Sequence, residues 1–346
     1  MIQSLIQKPN TVTPRVVVVG GGTGTFTVLR GLKRYANELE LSAIVTMADS
    51  GGSTGRLRDE FGQLPVGDVR MALTALAADN DRHDELLRQL FLYRFAKGEG
   101  LAGHNFGNLL LTALTDILGG EAEAIAAAAR ILRIEGTVIP VTTESTDLRA
   151  TYADGSILVG EHTIETESAT YMRGQLTELS LTTPATITPA AQAALLAADM
   201  VVLGPGDLYT SILANSLVTG FAEALQASQA RVCYVANLMT KAGQTSGFGV
   251  AEHVAEITAY CRRPPDVVVV NTASFPESLL ARYEAVGEYP VACNYTSCAH
   301  CTVYAEPIAA TEKITTTAGD VLVRSLIRHD SDQLAKIIRR AITEED

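Results

Sequence analysis

"VVVVGGGTGTFTVLRGLKRY" (residues 16–35) decides how this chain folds. Four successive valines form the pattern of a parallel strand buried on both faces. Clustered glycines follow, and then Phe26, Val28, Leu29 and Leu32 recur at helical spacing. Glycine lets the backbone turn sharply and approach a ligand, while the first turn of the next helix offers unpartnered N–H groups to a phosphate. The dinucleotide fingerprint G-x-G-x-x-G is incomplete. Counted from Gly20 and Gly22 its third position is Thr25, and counted from Gly22 and Gly24 it is Thr27. The run Gly21, Gly22, Thr23, Gly24 points to phosphate without establishing a nicotinamide cofactor, and a plain strand-to-helix turn stays open.

Outward from this unit, "LSAIVTM" (41–47) is a second strand, so the chain opens as β-α-β. Helical patterns follow around 69–78, 84–95, 106–118 and 121–132. Between Thr137 and Thr183 the chain alternates, with an Asp154–Gly155 turn between β-like runs, which predicts an antiparallel insertion on the α/β core. From Pro189 the α/β rhythm returns: a helix, "MVVLGPG", a helix through 213–227, "RVCYVAN", a helix over 251–260, "DVVVVNT" and a last helix over 331–342. Strands ending at Val19, Leu203 and Val235 run into loops of ligand-binding character. In doubly wound sheets such loops converge beyond the carboxyl ends of the strands.

The composition limits the function classes. At 346 residues, with 47 % hydrophobic and 19 % charged residues, the chain is an ordinary globular protein. A net charge of −12 argues against nucleic acid or an anionic membrane as a partner. No signal-like segment and no bilayer-length apolar run is evident, residues 1–14 look like a loose tail, and the expected location is the cytoplasm. Five cysteines are an odd number for a disulfide framework. In "CNYTSCAHC" (293–301), Cys298 and Cys301 have zinc-ligand spacing but lack a second pair, so ordinary thiols are the simpler reading.

Four further loops carry polar chemistry. "ADSGGSTGRLRDEFGQLPVGDVR" (48–70) places Gly51, Gly52 and Ser53 near Arg56 and Arg58, an anion nest with two phosphate-gripping guanidinium groups. Asp49, at the strand end, suits a ribose hydroxyl, a metal or a proton, whereas Asp68 reads locally as a helix N-cap. In "GHNFGNLLLTAL" (103–114), His104 is either a general acid or base or a structural histidine. Asn105 reads as an N-cap, with Asn108 one turn on. "LGPGDLYTSIL" (203–213) offers Gly204, Pro205, Gly206, Asp207 and Ser211. "ANLMTKAGQTSGF" (236–248) adds Asn237, Thr240 and Lys241. Together these loops describe a polar pocket for a nucleotide or a phosphorylated sugar.

These motifs, in this order, resemble the gluconeogenesis-factor family (YvcK-type), cytoplasmic bacterial proteins linked to carbon metabolism, cell shape and envelope synthesis. That family is similar in fold to the CofD-type 2-phospho-L-lactate transferases. The resemblance runs from about Arg15 to the last helix. It implies an α/β fold with a three-layer Rossmann-like core, a mainly parallel sheet and a small antiparallel β insertion at about 137–183. It also implies one domain over 15–346 and a homodimer. The implied ligand is a UDP-sugar, notably UDP-N-acetylglucosamine, with a regulatory outcome through an unidentified protein partner and no required cofactor. Tyr283 and Arg328 match a tyrosine and an arginine that contact ligand in the family.

Two departures stand out. The family loop carries adjacent aspartates where this chain has Asp49–Ser50, and the 293–301 cysteines lie outside the family pattern. The alternative function is a magnesium-dependent transferase moving a phosphoester group from a nucleotide carrier. Asp49 and Asp68 would then hold Mg2+, and Arg56, Arg58 and His104 would serve the chemistry. A nicotinamide oxidoreductase is disfavoured by the incomplete fingerprint.

Overall fold

The valine run forms strand β1 (Arg15–Gly20), in which Val16 and Val18 face one hydrophobic cluster and Val17 and Val19 the other. Strand periodicity sends alternate side chains to opposite faces, so a strand apolar on both faces must lie in the middle layer. The computed structural model describes residues 13–168, 174–295, 300–310 and 326–344. Residues 1–12 of the expected tail lie outside that range.

After β1 come α1 (Gly22–Leu32), β2 (Glu40–Val45), α2 (Gly52–Phe61), α3 (Gly67–Leu76), α4 (Arg82–Leu92), α5 (Phe106–Leu118), α6 (Glu121–Ile131) and β3 (Thr137–Pro140). The insertion comprises β4 (Leu148–Tyr152), β5 (Ile157–Val159), α7 (Glu161–Glu167) and β6 (Leu176–Leu181). The chain returns through α8 (Pro189–Ala197) and β7 (Met200–Leu203), a π-helical turn at Leu208–Leu213, α9 (Ala214–Ser216), α10 (Phe221–Ala227) and β8 (Arg231–Val235). It closes with α11 (Val250–Cys261), β9 (Val267–Asn271), α12 (Glu277–Glu284), β10 (Thr302–Glu306) and α13 (Ser331–Thr343).

Seven strands form one parallel sheet in the order β10-β9-β8-β7-β1-β2-β3, and β5-β4-β6 form a small antiparallel sheet. Helices α1, α3, α6 and α13 pack on one face of the large sheet; α8, α10, α11 and the small sheet contribute to the core on the other. This is the three-layer α/β fold expected. The order reverses at β1, which pairs with β2 on one side and β7 on the other. The crevice above that switch point is where such sheets bind ligands.

Four local expectations change, the first being that the polar stretch 48–70, read as a loop, carries the ten-residue helix α2. Thr137–Pro140 pairs in parallel with β2, so the antiparallel unit occupies Leu148–Leu181 and not the whole of 137–183. A four-residue strand is too short for its periodicity to be told from the insertion beside it. The helix expected over 213–227 is broken at Gly220, whose φ of +95° cannot continue a helix. Thr302–Glu306, at the sheet edge, is a strand that the cysteine-rich stretch before it concealed.

Candidate functional site

A cleft of about 320 Å³ opens at the switch point. Its first wall is the glycine loop Gly21–Gly24. Gly22 has φ +63° and nothing within 4 Å of where a Cβ would stand, so the loop backbone is bare toward the cleft. Gly21 caps α1 without a side-chain hydrogen bond, and the first-turn N–H groups of a helix have no intrahelical partner. At Gly24 a Cβ would overlap the Pro205 carbonyl, so the glycine loop and the Pro205–Asp207 loop interlock. Gly204 lies beneath, with φ +74° and its Cβ position against Ile212.

Asn237 ties the next loop in place: its Nδ2 donates to Gly206 O at 2.8 Å, and its Oδ1 accepts from Tyr234 Oη at 3.0 Å. Thr240 is held by Tyr289, whose N–H donates to Thr240 Oγ1 at 2.9 Å. A further wall joins α12 to the segment before α13. Tyr283 Oη accepts N–H bonds from Leu326 and Ile327 at 2.9 and 3.1 Å, which sets Arg328 and His329 on the cleft beside Tyr283. His329 Nε2 pairs with Ala236 O at 3.1 Å, and burial pushes its pKa down to about 4, so it is neutral and donates.

The remaining wall is acidic. Asp68 is not the N-cap expected; Val66 is, and Asp68 sits inside the first turn of α3. Its Oδ1 accepts Gly22 N–H at 2.7 Å, fixing the glycine loop from behind. Burial, then the nearby Asp49 charge, push Asp68 up to about 7. Glu161 is raised well above the usual carboxyl range by burial and by Asp49, although Ser50 N–H donates to it at 3.2 Å. Glu165 is pushed up to about 8 by burial and by Asp207, to which it is hydrogen-bonded. Lys241 is raised by the Asp207 charge foremost, and its Nζ lies 3.7 Å from Glu288. Among the described residues, no three His, Cys, Asp or Glu side chains are placed to share a metal ion.

The cleft thus gathers Gly21, Gly22, Thr23, Gly24, Asp68, Pro205, Gly206, Asp207, Ser211, Asn237, Thr240, Tyr283 and Arg328. Asp49 stands just behind it, its carboxylate accepting Gly51 N–H at 2.9 Å and abutting Gly67. Other expected residues turn elsewhere. Arg58 makes a bidentate pair with Asp147 at 2.7 Å per bond, and Arg56 reaches Ala102 O at 3.2 Å. Ser53 pairs with His104 Nδ1 at 3.2 Å and accepts Asn105 N–H at 3.1 Å. Asn108 bridges Arg70 and Thr54 at 2.8 and 3.2 Å. Ser53, His104, Asn105 and Asn108 form a buried seam joining α2, α3 and α5, which lies off the cleft lining along with Gly51 and Gly52. Burial, with Arg56 adding to it, lowers the His104 pKa.

Glu161, Glu165, Glu288 and His329 line the cleft without having been read from the sequence. Glu161 and Glu165 carried one signal, their i,i+4 spacing on a single helix face, but such a pair reads as solvated until the insertion is folded onto the core. Cys301 donates to Pro265 O at 3.0 Å, and its candidate zinc partner Cys298 lies outside the described residues.

A parallel sheet with glycine loops meeting at its switch point defines a doubly wound, Rossmann-like α/β protein. The family model for the 2-phospho-L-lactate transferase CofD matches residues 16–309. A relative from Nostoc sp. is 45 % identical over 280 residues, covering 80 % of this chain and 59 % of its own length. The gluconeogenesis factor of Halalkalibacterium halodurans is 39 % identical over 279 residues, covering 80 % of this chain and 83 % of that protein. A crystal structure of a Bacillus halodurans protein superposes with a TM-score of 0.84 at 34 % identity, covering 96 % of this chain and 100 % of the other. The chain belongs to the gluconeogenesis-factor family within the CofD-like superfamily. Among the described residues no helix is long and apolar enough to cross a membrane.

Proposed function

We propose that the cleft binds a nucleotide sugar of the UDP-N-acetylglucosamine type and that the protein is a regulator of carbon metabolism, cell shape and envelope synthesis, acting as a homodimer in the cytoplasm. The observation that carries the reading is the glycine loop at the α1 N-terminus, which shares one cleft at the switch point with Tyr283 and Arg328. The glycine loop suits a diphosphate, and the tyrosine and arginine suit a base or its ribose. A ligand that binds only the folded state raises stability by mass action, by about 2.7 kcal/mol at a hundredfold excess over its Kd. UDP-N-acetylglucosamine is expected to raise the unfolding midpoint in a saturable manner. An unchanged midpoint at millimolar ligand contradicts the reading.

One observation favours a second reading, transfer of a phosphoester group. Asp49 and Asp68 lie close enough for the Asp49 charge to raise Asp68, and Asp68 touches the glycine loop. Magnesium characteristically uses one or two carboxylates together with substrate phosphates, a set that these two residues fit. Nucleotide release that requires both Mg2+ and an acceptor would promote transfer over regulation.

A further inference from the structure

The cleft changes character from one end to the other. Gly21–Gly24 carry no side chain larger than threonine, and with Gly22 N–H held by Asp68 the next N–H groups of the helix start are left to suit an anion. Away from that loop stand Glu165, from α7, and Asp207, from the loop after β7, hydrogen-bonded to each other. Thr210 Oγ1 donates to Glu165 Oε1 at 2.9 Å. Lys241 is drawn to Asp207, Glu165 and Glu288. Two carboxyls in contact resist ionising together, so near neutral pH Glu165 keeps its proton and donates it to Asp207. Lys241 lines the same cleft beside them. A hydroxyl of a sugar ring donates hydrogen bonds, and the carboxyl lone pairs that neither the shared proton nor Thr210 uses accept them.

The two ends are held in fixed relation. Gly24 packs on the Pro205 carbonyl, which places Asp207 two residues from the anion loop. Helix α7 is anchored by His162 N–H to Ser50 Oγ at 3.0 Å and by Ser168 Oγ to Ala242 O at 3.4 Å. A phosphate on the glycine loop therefore shares one cleft of about 320 Å³ with the carboxyl pair.

We infer that Glu165 and Asp207 select the group esterified to the ligand's terminal phosphate, taking a hydroxylated ring by paired hydrogen bonds and disfavouring a nucleotide that ends in bare phosphate. The inference rests on the nucleotide-sugar reading and adds to it the residues that distinguish the sugar. Its test is titration calorimetry of the full chain with UDP and with UDP-glucose, on the wild type and on Glu165→Ala, Asp207→Ala and Glu165→Gln. Wild type is expected to prefer UDP-glucose, and each alanine variant to lose about tenfold or more of that preference, close to 1.4 kcal/mol. Glutamine at 165 keeps a donor toward Asp207 and is expected to retain the preference; it also removes the fall in preference expected of wild type above about pH 8. The two alanine positions lie on separate elements, so either variant that keeps a cooperative unfolding transition decides the matter. An unchanged preference in a folded alanine variant, or a glutamine variant as impaired as alanine, overturns the inference alone. Failure of folded wild type to bind either nucleotide overturns the nucleotide-sugar reading and the inference with it.

Discussion

Gly24 has no room for a side chain, because a Cβ there would run into the Pro205 carbonyl of the neighbouring loop. Gly24→Ala must push the two loops apart, and overpacking of this kind costs about 1–3 kcal/mol. Denaturant unfolding is expected to show that loss together with weakened nucleotide binding; an unchanged midpoint would mean the interlock is loose. Asp68 makes a different prediction. Its pKa rises from 3.8 to about 7 on folding, so its contribution to stability is fully present below about pH 3.8 and is lost as pH rises through about 7. Asparagine keeps an acceptor for Gly22 N–H and carries no charge. Asp68→Asn should therefore gain on wild type by about 2 kcal/mol between pH 5.5 and 8. A stability difference that stays flat across that range would refute the buried-acid description.

At the scale of elements, the insertion is bound to α2 by Arg58 and Asp147, whose two 2.7 Å bonds are partly shielded from water. Arg58→Ala is expected to cost about 1–3 kcal/mol through these charge-assisted bonds. Ligand affinity should stay at the wild-type level, since Arg58 is turned from the cleft. Loss of affinity in a folded Arg58→Ala would return this arginine to the site. The elements themselves were legible where one local rule dominated: β1 from its valines, α5 from Asn105 and its apolar stripe, the β4–β5 hairpin from Asp154–Gly155. They were illegible where tertiary contact decided. Asp68 looked like a cap because sequence shows its neighbours and not Gly22, 46 residues away. Arg56 and Arg58 looked like phosphate grips because nothing local reveals Ala102 or Asp147 as their partners.

For the whole molecule, the parallel sheet does the positioning. Loops separated by nearly 200 residues in the chain meet because β1 and β7 are neighbours. Sequence order displayed those loops as separate polar stretches, and only the strand order makes them one cleft. The carboxyls of α7 enter that cleft from the insertion, which supplies what the sequence reading lacked on the ligand-facing side. The cleft combines a glycine loop with a wall of carboxyls, several of them raised by burial, in a chain of net charge −12. On the proposed reading, affinity for a nucleotide sugar depends on local backbone donors, since the long-range field repels an anion. The most direct measurement is a crystal structure of the protein with UDP-N-acetylglucosamine. The account predicts the diphosphate against the N–H groups of Thr23 and Gly24, since Asp68 holds that of Gly22, with the sugar toward Glu165 and Asp207. Density for the ligand away from the glycine loop, or none at saturating concentration, would contradict it.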